Sequence, residues 1–215
     1  MKLLKLKIAV AAVLTSSLSA IACEGDLVCV GEQIARNCVM CHGPSFQGYF
    51  VAPRLAGQKP QYVVNQLHDL LAHKRDNPYS QLYMWRASAK LVSIDPDGIR
   101  AVAAYFSTLE PKAAADGHRE LVATGQNLFS GGEASENVPA CAVCHGPNGV
   151  GSRNIPRIGG LSFHYLKRRL EAWGAGYHAS ATYPMPKIAS NLSEEKIDAL
   201  ASYLSFIGSE EEAFK

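Results

Sequence analysis

The 215-residue sequence has no apolar run of the roughly 20 residues that a helix needs to cross a bilayer. It also lacks a strong charge of either sign. Lys and Arg number 21 against 19 Asp and Glu, a net of +2, which excludes the basic surplus of a dedicated nucleic-acid binder. Charged residues make up only 19% and hydrophobic ones 47%, which excludes a disordered chain. Alternating β-branched and aromatic runs are nearly missing, so little of the chain reads as strand. Cysteine is scarce for a disulfide scaffold, at six in this length, yet too frequent to be incidental. Methionine is scarcer still, at four.

The N-terminus accounts for the small positive charge. Lys2, Lys5 and Lys7 precede a short apolar core, Ile8–Leu14, and Ala20-Ile21-Ala22 fits an A-x-A cleavage site. Residues 1–22 therefore read as a signal peptide, too short to span a membrane, and the mature chain starts near Cys23 in an oxidising compartment. Without the leader, 18 Lys and Arg face 19 Asp and Glu, a net of about −1.

Four of the cysteines spell one pattern twice: Cys38-Val-Met-Cys41-His42 and Cys141-Ala-Val-Cys144-His145. The copies are 103 residues apart, and the same offset also aligns Gly43 with Gly146, Pro53 with Pro156, Arg54 with Arg157 and Gly57 with Gly160. Eleven identities fall within thirty residues at this one offset. Both halves end in a segment with apolar residues at i, i+3, i+4 and i+7, Ile99–Leu109 and Ile197–Ile207, each predicted to be helical. Asp95-Pro96-Asp97 and Ser193-Glu194-Glu195 supply their start signals. One or two middle helices are expected in each half, over Gln61–Lys74 and Phe163–Ala172, and a short helix before each cysteine motif. Residues 111–117, rich in Pro, Ala and Gly, read as a linker between domains at 23–110 and 118–215. The fold class is all-α, two tandem domains.

C-x-x-C-H is the attachment signal for c-type haem. Two intervening residues put both thiols against one edge of the macrocycle, and the next residue, histidine, lies under the iron. A thioredoxin-like C-x-x-C would sit in a βαβ unit, and zinc knuckles would lie closer together; neither needs His42 or His145. What fills the sixth iron position separates electron transfer from catalysis. Met1 leaves with the leader, and Met40 is held between two attachment cysteines. Met84 and Met185 remain, 42 residues after His42 and 40 after His145. Tyr183-Pro184-Met185-Pro186 is expected to form a stiff, extended loop that presses a thioether onto iron, whereas Met84 has no flanking prolines.

On these motifs, the segments Pro53-Arg54-Leu55-Ala56-Gly57 and Pro156-Arg157-Ile158-Gly159-Gly160, and the terminal aromatic helices, the mature chain resembles the diheme cytochrome c4 family of tandem class I cytochromes c. The resemblance implies two cytochrome c domains packed face to face, with haem propionates near their interface. It implies two covalently bound haem c groups attached at Cys38 and Cys41 and at Cys141 and Cys144, with His42 and Met84, and His145 and Met185, as axial ligands. It further implies a periplasmic electron carrier, not an enzyme, with protein redox partners that include a terminal oxidase or reductase. Nucleic acid and small-molecule substrates are not expected. The competing class is a diheme enzyme, a peroxidase or thiosulfate dehydrogenase, which needs one iron with an unusual ligand such as Cys29 in place of Met84. A haem subunit of a larger respiratory complex is a third.

Some residues stand outside this pattern. Cys23 and Cys29 read either as a local disulfide, as a lipidated Cys23 that would bring the chain to the membrane, or as free thiols. His68, His73, His118, His164 and His178 do not repeat at the offset and read as surface or core histidines. Lys167-Arg168-Arg169 reads as a solvated basic face, or one that docks an acidic partner or neutralises propionates. The loop Ser45–Val51 is more aromatic than Asn148–Asn154, which is expected to shield the first haem or to meet a partner.

Overall fold

Ile99, Val102, Ala103 and Phe106 fall on one face of a helix, as do Ile197, Leu200, Ala201 and Leu204, and all eight are buried. Each set turns a terminal helix into the wall of a core. In a computed structural model these are the last helices of the two halves, among ten α-helices in the described residues, which are 23, 25–50, 52–178 and 184–209. The expected signal peptide at 1–22 lies outside them.

The first half contains α1 (Leu27–Ala35), α2 (Val39–His42), α3 (Pro60–Leu71), α4 (Arg86–Ile94) and α5 (Gly98–Thr108). The second contains α6 (Val122–Gly131), α7 (Ala142–His145), α8 (Phe163–Gly174), α9 (Met185–Ala189) and α10 (Glu194–Phe206). Among the described residues there is no strand, only isolated bridges such as Tyr49 with Ala52 and, at the same offset of 103, Ser152 with Ile155. Asp26 caps α1, and Ser193 caps α10 by accepting from the Lys196 N–H, as its start signal predicts.

In each half the first helix crosses the last at a glycine. A Cβ on Gly31 would lie 2.1 Å from the Ala101 carbonyl oxygen, and one on Gly125 would lie 2.0 Å from that of Ala199. The crossing closes one side of each core. Ile34, Leu70, Val102 and Phe106 fill the first, with Phe46 from the loop after the motif; Phe129, Val138, Leu166 and Leu200 fill the second. α3 and α8 complete them.

Two expectations need correction, and a second middle helix needs placing. The first middle helix ends at Leu71 instead of Lys74, since His73 adopts a positive φ of 55° that ends helical geometry. The first half has a further helical stretch that the apolar pattern does not announce: a π-helical turn, Ser80–Trp85, running into α4. Its exposed Leu82, Tyr83, Val92 and Ile94 blur the period. And Met185 does not sit in an extended loop; it opens α9, with Pro184 in helical geometry before it. Residues 179–183, which include Tyr183, lie outside the described ones.

The linker is hydrogen-bonded to both halves. Gln47 donates to the Glu110 carbonyl and accepts from the Lys112 N–H, while Ala115 N–H donates to Ser205 and His118 N–H to the Ser202 hydroxyl. The halves meet directly as well. Gln58 and Arg157 exchange hydrogen bonds of 2.9 and 2.8 Å, His178 N–H donates to Asp76, and Arg168 lies 3.9 Å over the Tyr79 ring. The basic run on α8 is thus no solvated face: Lys167 pairs with Asp198 at 2.6 Å, and Arg169 is buried against His178 and Trp173. The aromatic loop belongs to this seam too. Phe46 is core, and Phe50 stacks 4.1 Å from His164 of the other half.

Candidate functional site

The site is written twice, and each copy starts from a short helix. Cys38 and Cys41, and Cys141 and Cys144, are three residues apart across one helical turn, so both sulfurs of a pair lie on one side. None of the four is joined in a disulfide. Cys41 and Cys144 are exposed, while burial pushes the Cys38 and Cys141 thiols up to about 11. Between them Met40 and Val143 point into solvent, 88% and 82% exposed, which agrees with setting Met40 aside as a ligand. Gly43 and Gly146 follow at φ 81° and 78°, a conformation that ends each turn directly after its histidine.

His42 and His145 are buried, and each is held by one bond. Nδ1 of His42 lies 2.9 Å from the Pro53 carbonyl oxygen and Nδ1 of His145 lies 3.0 Å from that of Pro156. A carbonyl only accepts, so Nδ1 donates, and the lone pair of the neutral ring is then on Nε2. Burial lowers both pKa values, against the opposing effect of the carbonyl bond, which keeps the rings neutral. A neutral imidazole with a fixed Nδ1–H is the state that ligates a metal through Nε2. The partner prolines stand among the identities of the repeat, but their role is carried by a backbone atom that no sequence pattern displays.

The two remaining methionines reach the edge of the core in their own halves. Met84, on the π-helical turn, packs half-buried against the cluster that also takes Cys38 and Val39. Met185 packs against Leu170, Ala189 and Ile197, and Leu192 joins that group to the cluster that takes Cys141. Each half therefore offers two thiols, one oriented imidazole and one thioether, a donor set that suits a c-type haem. No group of three or more His, Cys, Asp or Glu that would hold a bare metal ion occurs among the described residues.

The remaining cysteines are joined to each other, Cys23 to Cys29, with Cα atoms 5.5 Å apart. The thiol that the enzyme alternative would place on iron is thereby engaged. His178 is fully buried, His68 is exposed, and His118 and His164 lie against Phe163 and Phe50. No helix among the described residues is long and apolar enough to cross a membrane.

The model of the cytochrome c family matches twice, over residues 30–110 and 122–206. Cytochrome c4 of Pseudomonas aeruginosa is 31% identical, over 92% of this chain and 97% of its own. A protein of Stutzerimonas stutzeri named thiosulfate dehydrogenase electron acceptor is 31% identical over 98% of this chain and 99% of its own. The solved structure of Acidithiobacillus ferrooxidans cytochrome c4 superposes with a TM-score of 0.73 at 31% identity, covering 79% of this chain and 98% of that one. Two cytochrome c domains mean two covalently bound haem c groups and a protein that transfers electrons. The chain belongs to the cytochrome c family, as a two-domain, diheme member of the cytochrome c4 type.

Proposed function

We propose that Cys38 and Cys41 attach one haem, ligated by His42 and Met84, and that Cys141 and Cys144 attach the other, ligated by His145 and Met185. The domains run over residues 23–110 and 118–215, joined by 111–117, after removal of a signal peptide at 1–22. One observation carries this reading: in both halves a buried histidine directly after the cysteine pair is oriented by a proline carbonyl, leaving Nε2 as its ligating atom. The haem iron, when bound, supplies a one-electron couple. The chain's own residues anchor the macrocycle, fix the imidazole plane, and fill the sixth position with a thioether. No coordination site then stays open for a substrate.

The protein works in the periplasm, taking electrons from a dehydrogenase and passing them to a membrane terminal oxidase or reductase. The name of the Stutzerimonas relative supports a donor of the thiosulfate-oxidising kind. Replacing Met84 or Met185 by Ala tests the ligation. Each substitution removes about half of the far-red absorption band of ferric iron bound to methionine sulfur, and lowers one of the two potentials. A parent band of single-haem intensity, or a Met84→Ala variant with the full band, contradicts the assignment.

A further inference from the structure

In the seam between the halves, one buried side chain grips the main chain of the other half at two points. Gln58 Oε1 accepts from the Arg157 N–H at 2.8 Å, and Gln58 Nε2 donates to the carbonyl of the same residue at 2.9 Å. Oε1 also accepts from the Lys59 N–H at 2.9 Å. The amide therefore has one orientation, because both N–H groups must face its oxygen. The backbone that presents it is held from the first half. Gly57 N–H donates to the Phe106 carbonyl near the end of α5, and Gln58 N–H donates to that of Leu55.

This grip is one peptide unit away from the second histidine. The Arg157 N–H and the Pro156 carbonyl belong to a single peptide group, and that carbonyl accepts from Nδ1 of His145 at 3.0 Å. An acceptor on the N–H side of a peptide draws charge onto its oxygen, because resonance joins the two. The oxygen then accepts more strongly from Nδ1, and the imidazole becomes a more basic ligand. A more basic ligand favours ferric over ferrous iron.

The repeat does not return this bond. The residue at the place of Gln58, at the offset of 103, is Leu161, which is buried in the second core. A leucine side chain has no acceptor, so the pairing of His42 with Pro53 receives no equivalent support from this position.

We propose that Gln58 of the first half is a positioning residue for the second haem: through the Pro156–Arg157 peptide it strengthens the bond that orients His145, and so lowers the potential of that haem alone. This rests on ligation of the second iron by His145. The docking of the first half is thereby read at the second iron, through a side chain that one half has and the other lacks.

The test uses the diheme protein with three substitutions. Gln58→Met is close in shape but has no acceptor oxygen, Gln58→Glu keeps one, and Phe50→Ala removes the stack on His164 across the same seam. Haem content and the far-red band, recorded first, report attachment and ligation separately from the potentials. In Gln58→Met, spectroelectrochemical titration is expected to show one haem shifted about threefold toward the ferrous form, roughly 30 mV for one electron, with the other unchanged. Combined with Met84→Ala, which displaces the first potential, the shift stays with the haem that keeps its far-red band. Gln58→Glu and Phe50→Ala give no shift toward the ferrous form. An unchanged second haem in Gln58→Met, equal shifts of both haems, or the same shift in Phe50→Ala overturns the inference. If Gln58→Met does not fold, Gln58→Glu carries the test, and a shift toward the ferrous form there overturns it.

Discussion

Gly31→Ala perturbs a single atom at a known place. The α1 backbone there has a negative φ, so alanine costs nothing in conformation and gains about 1 kcal/mol of helix propensity. The added methyl, however, lies 2.1 Å from the Ala101 oxygen and 2.6 Å from its carbonyl carbon. Ordinary contact begins near 3.5 Å, so α1 and α5 must part by roughly 1 Å. The obstructing atoms belong to the backbone of a helix and cannot swing aside. Overpacking of this kind costs about 1–3 kcal/mol, and here belongs at the upper end. The net expectation is a loss of about 2 kcal/mol, a sizeable part of the roughly 5–15 kcal/mol that holds a domain folded. Guanidinium denaturation of the holoprotein, followed by far-ultraviolet circular dichroism, measures it. Gly131, with no atom within 4 Å of an added Cβ, is the control, and Gly131→Ala is expected to be neutral or stabilising. A Gly31→Ala variant as stable as the parent, or stabilised like the control, refutes the claim that the crossing depends on this contact.

Burial, then Arg169 and Arg75, push the His178 pKa from 6.5 to about 3, while Asp76 pulls the other way. The unfolded chain then binds the proton first. Stability is complete above pH 6.5 and falls as the pH drops toward 3, by up to about 1.4 kcal/mol per unit. His178→Asn, which tolerates the positive φ of 61°, is expected to flatten that limb when denaturation midpoints are compared across the window; an unchanged slope contradicts it. Replacing Cys23 and Cys29 by Ser opens a short loop at the start of α1 and is expected to cost about 2 kcal/mol, read by thermal unfolding. The two mature halves carry small net charges, about +1 over 23–109 and −2 over 110–215. Electron exchange measured by stopped flow should therefore depend only weakly on salt, and a steep decrease would place the docking energy in a local patch.

Much of the site is legible in the sequence because covalent haem attachment demands fixed residues at fixed spacing. The terminal helices are legible for a different reason: each buries one face, so its apolar residues keep the helical period. The crossing glycines are hidden by register. Gly31 precedes its motif by seven residues and Gly125 by sixteen, since the second half inserts the Ala134–Glu136 turn and its bridge between Glu133 and Val138. The offset of 103 therefore fails upstream of Cys38. α4 is hidden by exposure of its apolar residues. The seam is hidden by chemistry: Lys167-Arg168-Arg169 is indistinguishable from a solvated face until Asp198, Tyr79 and His178 are brought to it from distant positions. Phe50 likewise reads as a partner contact, and the partner proves to be the second half of the same chain.

The central claim is that two irons, each held between histidine and methionine, transfer electrons without an open coordination site. A redox titration of the purified protein followed by optical spectra tests it most directly. The account predicts two one-electron steps and a far-red methionine–iron band of two-haem intensity in the oxidised protein. A band of single-haem intensity, accompanied by turnover of peroxide or thiosulfate, would contradict it.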